Sequence, residues 1–190
     1  MSRTTQIRLA LAALAAGALL LGACGRQASP STGAADVTAT GVASGFVLAK
    51  VERVVDGDTA IFRLSSGARE RVRFIGVDTP ESTTTHEPFG EEASAYTKRV
   101  LTPGRSVLLE LDAEQRDRYE RLLAYVWLET PATLGDAEIR AKMLNAQLAI
   151  DGYAQQMTIA PNVKYADSFR RYVAEARDAQ RGLWAPDVGQ

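Results

Sequence analysis

The chain is poor in the side chains that carry the most portable chemistry: one cysteine, Cys24, and one histidine, His86, in 190 residues. A lone thiol forms no internal disulfide. A lone imidazole excludes a histidine-rich zinc site and argues against a serine–histidine triad, so His86 is expected to be a solvated loop residue. Three signatures are missing as well: the GxxxxGK[ST] phosphate loop, HExxH and GxSxG. Nor is there an excess of positive charge. With 22 basic and 23 acidic residues the formal net charge is −1, so composition suggests no polyanionic partner, and any phosphate recognition has to come from a local site.

Long apolar runs are also scarce. The one candidate, Leu9 to Leu21, is short for a membrane span, which needs roughly 20 residues. It follows Arg3 and Arg8 without an intervening acid and precedes Leu21-Gly-Ala-Cys24, the basic, apolar and small-residue order of a secretory signal. The LGAC ending resembles a bacterial lipobox, whose cysteine is lipidated and becomes the first residue of the mature chain. That would give the single thiol a use. We therefore expect residues 1–23 to be a lipoprotein signal peptide and 24–45, small, polar and free of aromatics, to be a flexible tether. The folded domain would be 46–190, exported and anchored to the bacterial cell envelope through a lipid on Cys24, facing the periplasm or exterior. Without Arg3 and Arg8, 20 basic residues meet 23 acidic ones and the charge becomes −3.

The folded region reads as strands over 46–55, 59–64, 69–77, 106–111 and 122–128, each rich in β-branched or aromatic residues and bounded by turn signals. Helical spacing marks 89–101, with Phe89, Ala93, Tyr96 and Val100 on one stripe, 137–150, with Ile139, Met143, Leu144 and Leu148, and 166–181, with Phe169, Tyr172, Val173 and Ala176. Five strands with helices between and after them make an α+β plan. A five-stranded Greek-key β-barrel of the oligonucleotide/oligosaccharide-binding (OB) type suits that count, as do other small barrels.

Oxygen chemistry is what remains. Asp58 begins one strand and Asp78 ends another, so a meander can bring both carboxylates to one end of the sheet, with Glu81 close by and arginines at 73 and 121. Such ligands suit a hard cation, and a hard cation beside arginines suits phosphate chemistry. Asp56-Gly-Asp58 also opens like an EF-hand loop, but Ile61 stands where that loop needs glycine and no helix precedes it. On their own, Asp56-Gly-Asp58 reads as a turn, Arg69, Arg71 and Arg73 as a solvated strand face, and Arg116, Arg118 and Arg121 as surface pairs.

Six segments in register change that balance: VDGDT (55–59), RFIGVDTPE (73–81), FGEEASAYTK (89–98), RDRYERLLAYV (116–126), APNVKYA (160–166) and RGLW (181–184). Together they resemble the staphylococcal nuclease (thermonuclease) family over about 46–184. The resemblance implies a five-stranded OB-type barrel with three helices and a calcium-dependent phosphodiesterase acting on DNA and RNA, as a monomer. It places Asp58 and Asp78 as Ca²⁺ carboxylates and Thr79 as a backbone-carbonyl ligand. Glu81 becomes the general base, Arg73 and Arg121 hold the phosphate, and Asp56 stands behind the metal ligands. Arg69, Arg71 and Arg116 keep their surface reading.

Two departures qualify the resemblance. The family archetype has nucleotide-stacking tyrosines after its second helix, whereas Gln155 to Ala160 has none and the next is Tyr165; its glycine before the second arginine is Glu120 here. The competing readings are a catalytically silent OB-type barrel that binds nucleic acid and a structural envelope lipoprotein. Either would most cheaply have lost a metal carboxylate or an arginine, and all five charged positions are filled.

Overall fold

The computed structural model describes residues 45–188. Cys24, the signal segment and the tether up to residue 44 lie outside the described residues. In chain order the elements are β1 (Phe46–Asp56), β2 (Thr59–Leu64), β3 (Arg69–Phe74), β4 (Gly76–Asp78), α1 (Gly90–Val100), β5 (Ser106–Glu110), β6 (Leu122–Trp127), α2 (Asp136–Lys142), α3 (Leu144–Ile150), β7 (Gln155–Met157) and α4 (Ala166–Asp178).

Five of the strands close a barrel in the order β1-β2-β3-β6-β5. Every contact is antiparallel except that of β3 with β6, which run parallel. Closure requires β1 to pair on both sides, and two register shifts along it, between Val51 and Arg53 and between Val54 and Asp56, supply the coiling. Alternation fills the interior. Phe62, Val72, Phe74, Leu109, Val126 and Trp127 are all buried, while Arg69 and Arg71 face out from the same strand as Val72 and Phe74. The OB-type α+β plan is as the sequence led us to expect.

Two elements differ from the sequence pattern. The strand expected over 69–77 breaks after Phe74, because Gly76 has φ +83° and its α-carbon faces the Phe169 ring: a Cβ there would lie 2.4 Å from Phe169 Cε2. Only glycine combines that dihedral with that approach. The kink is pinned by buried Asn145, whose Nδ2 donates to Ile75 O at 2.8 Å while its Oδ1 accepts from Val126 N–H at 2.8 Å. Beyond the kink, β4 pairs with β7, a strand the sequence does not announce. The expected helix over 137–150 is two helices, making four α-helices among the described residues instead of the three expected. Met143, extended at φ −97°, bridges to Trp127, and Lys142 O accepts the Leu128 N–H at 2.8 Å. The end of β6 thereby finds a backbone partner that a continuous helix would have withheld.

Candidate active site at the β3–β4 kink

The kink decides where Arg73 points. Its Nη1 donates to Phe74 O at 2.9 Å and Val77 O at 2.7 Å, so the guanidinium spans the bend it leaves. Nη2 then meets two carboxylates, Asp78 Oδ1 at 2.7 Å and Asp58 Oδ2 at 3.2 Å. One nitrogen touching both shows that the two acids converge.

Asp58 arrives from the tight turn between β1 and β2. Gly57 in that turn presses on Thr79, since a Cβ would sit 2.5 Å from Thr79 Oγ1. Thr79 in turn donates its backbone N–H (2.9 Å) and hydroxyl (3.2 Å) to Asp58 Oδ2, and the Thr59 hydroxyl reaches Oδ1 at 3.0 Å. Asp58 is thus buried and fixed, while the Asp78 side chain is 45% exposed to the cleft. Partial burial pushes the Asp78 carboxyl up; Arg73 opposes that shift, and the acids Asp58, Glu87 and Glu81 reinforce it.

Pro80 directs the chain to Glu81, whose backbone is clasped twice by Glu87: Glu81 N–H donates to Glu87 Oε2 at 3.0 Å and Glu87 N–H to Glu81 O at 2.8 Å. The Glu81 carboxylate accepts the Thr83 hydroxyl and interacts with the Asp56 carboxyl. Burial and Glu81 push Asp56 up, whereas Asp56 and Thr83 hold Glu81 below the usual carboxylate range. Ser82 completes the join, donating its hydroxyl to Asp56 at 2.6 Å.

Arg121 enters from the turn before β6. Asp117 grips it at Nε (2.6 Å) and at the backbone N–H (3.0 Å). Burial works against the Asp117 charge, but the bonds from Arg121 outweigh it and hold the carboxyl below its ordinary value. The terminal nitrogens of Arg121 make no hydrogen bond among the described residues. Glu120 sits in this turn at φ +61°, a left-handed conformation that costs a side-chain-bearing residue about 1–2 kcal/mol. Its side chain is exposed to solvent, while its carbonyl accepts from Arg116 Nη1 at 2.9 Å. Glycine would adopt that dihedral without strain, and Glu120 does not line the cavity.

All six expected residues, Asp58, Arg73, Asp78, Thr79, Glu81 and Arg121, line one cavity of about 690 Å³. The family is settled by comparison with known proteins: the staphylococcal nuclease homologue model matches residues 71–186. The chain belongs to that family. It is 40% identical over 139 residues to the thermonuclease of Staphylococcus hyicus, covering 72% of this chain and 75% of that protein. The thermonuclease of Staphylococcus intermedius is 44% identical over 137 residues, covering 70% and 74%. Endonuclease YncB of Bacillus subtilis is 34% identical over 139 residues, covering 71% of this chain and 60% of its own.

The staphylococcal nuclease site has a donor set that fits a hard cation. Two carboxylates converge, the carbonyl of neighbouring Thr79 accepts no hydrogen bond among the described residues, and all these donors are oxygen. No group of three or more acids, histidines or cysteines is poised around a metal among the described residues. So thin a set leaves coordination positions open to water and other oxygens.

Several cavity residues escaped the sequence reading. Arg69 and Arg116 are the surface pairs expected, bound to Glu52 at 2.6 Å and Glu70 at 2.7 Å, and His86 is exposed. Arg71 is different, because it lines the cavity. Its two-residue spacing from Arg73 on one strand face was the available signal. Tyr165 is buried, with its hydroxyl on Glu110, and offers no stacking surface. Tyr119, 63% exposed, does line the cavity, as do the apolar Met157 and Ile159.

Proposed function

We propose that the protein is a secreted, lipid-anchored, calcium-dependent nuclease that hydrolyses phosphodiester bonds of DNA and RNA with low sequence specificity. The observation that carries this reading is the convergence of Asp58, Asp78, Glu81, Arg73 and Arg121 on a single cavity. Asp58, Asp78 and the Thr79 carbonyl would hold the cation. Bound Ca²⁺ supplies Lewis-acid stabilisation of charge on the phosphate. Arg121, steadied through Nε, presents its terminal nitrogens to the phosphate oxygens, and Arg73, anchored through Nη1 on two backbone carbonyls, turns Nη2 from Asp58 and Asp78 to the phosphate once those acids serve the cation. Glu81, kept ionised by its neighbours, takes the proton of the attacking water. Tyr119, Met157 and Ile159 provide stacking and apolar surface without base-edge donors, which suits low sequence preference.

Purified protein incubated with plasmid DNA and with RNA should degrade both when Ca²⁺ is present. Excess chelator should abolish the activity and added Ca²⁺ should restore it; full cleavage in chelator contradicts the reading. Export and anchoring rest on the order of residues 1–24. Cys24→Ser should leave the membrane fraction yet keep its nuclease activity, and retention of the variant in that fraction contradicts lipidation.

A further inference from the structure

We propose that Arg71 is a second phosphate-binding residue of the cavity, holding the phosphate adjacent to the scissile one; the proposal rests on the nuclease reading of the site. Arg71 and Arg73 share the outer face of β3, two residues apart, a step of about 6.6 Å. Successive phosphates of an extended single strand are separated by a comparable step. The parallel pairing of β3 with β6 aligns Val72 with Leu122 and Arg73 with Leu123. Arg71 and Arg121 each immediately precede the first pair of this ladder, and both line the cavity together with Arg73 and Leu123.

Charge pairing separates Arg71 from its neighbours. Glu52 is taken by Arg63 (2.7 Å) and Arg69 (2.6 Å), Glu70 by Arg116 (2.7 Å and 3.0 Å), and Asp117 by Arg121 (2.6 Å). Arg73 is held by Asp58 and Asp78. Arg71 makes no ion pair or side-chain hydrogen bond among the described residues. In a chain of net charge −1 this guanidinium lines the cavity with all its donors free. Such a fork is suited to a phosphate diester.

The test compares a dinucleoside monophosphate, which carries only the scissile phosphate, with a tetranucleotide. Arg71→Ala should raise KM on the tetranucleotide about tenfold, the scale of one charge-assisted hydrogen bond, with kcat little changed. On the dinucleoside monophosphate the variant should match wild type. The slope of log(kcat/KM) against log[salt] on the tetranucleotide should shrink by about 0.7, one phosphate contact on a single strand, and Arg71→Lys should restore the slope. Arg69→Ala, whose partner Glu52 lies outside the cavity, should change none of these. Equal losses on both substrates, or an unaltered salt slope, would overturn the proposal while leaving the nuclease reading intact. A wild type that cleaves neither substrate would overturn both.

Discussion

Arg121→Lys should lower the turnover number at least tenfold, a rise in barrier of about 1.4 kcal/mol or more, with little change in KM, and should resemble Arg121→Ala more than wild type. The geometry gives the reason. Arginine spends Nε on Asp117 and keeps both terminal nitrogens for the phosphate, whereas lysine has one nitrogen and must choose. Asp117, buried enough for its charge to be costly alone, draws that ammonium toward itself. Arg69→Lys, which only exchanges one exposed pair with Glu52 for another, should be nearly silent. Steady-state kinetics of both variants on one single-stranded substrate, at fixed calcium and salt, checks this. If Arg121→Lys keeps most of its turnover, Arg121 does not act on the transition state. Equal losses in the two variants mean that the arginines act as a diffuse field.

Asn145→Ala should destabilise the fold by about 3 kcal/mol, because it strands two buried backbone groups, each worth roughly 1–3 kcal/mol when left unpaired. The groups are Ile75 O and Val126 N–H, both at 2.8 Å from the side-chain amide, and Asn145 itself is fully buried. Ile75 lies between Arg73 and Asp78, so loosening the kink also loosens the site. Activity measured well below the melting transition should therefore fall along with stability. Denaturant unfolding gives the first quantity; a loss below 1 kcal/mol would mean that the kink does not depend on this residue.

The barrel strands were legible because alternation and turn residues act locally. Val72 and Phe74 point inward and Arg69 and Arg71 outward wherever the strand is placed. The kink was not legible, since the apolar stretch from Val72 to Val77 reads as one strand, and what breaks it is the Phe169 ring against Gly76, nearly a hundred residues on in the chain. Gln155–Met157 has no strand signal of its own and pairs only because the kink presents β4. The break at Met143 was hidden for another reason: Ile139, Met143, Leu144 and Leu148 are buried in either geometry, so the stripe persists while the backbone leaves it. The candidate acids and arginines were legible through six motifs in register. Arg71 and Arg69 look alike in sequence, and only the positions taken by Glu52 and Glu70 leave one paired and the other free.

The central claim is that Asp58 and Asp78 form, with the arginines, a calcium-dependent phosphodiesterase centre, and the calcium-activation curve of Asp78→Asn beside wild type tests it most directly. Asparagine keeps the shape and an oxygen donor but removes the charge that the cation needs. The account predicts no wild-type cleavage without calcium, saturable activation on adding it, and for Asp78→Asn a half-activating concentration at least tenfold higher, equivalent to about 1.4 kcal/mol of lost cation binding. Superimposable curves for the two proteins, or cleavage by wild type in excess chelator, would contradict it.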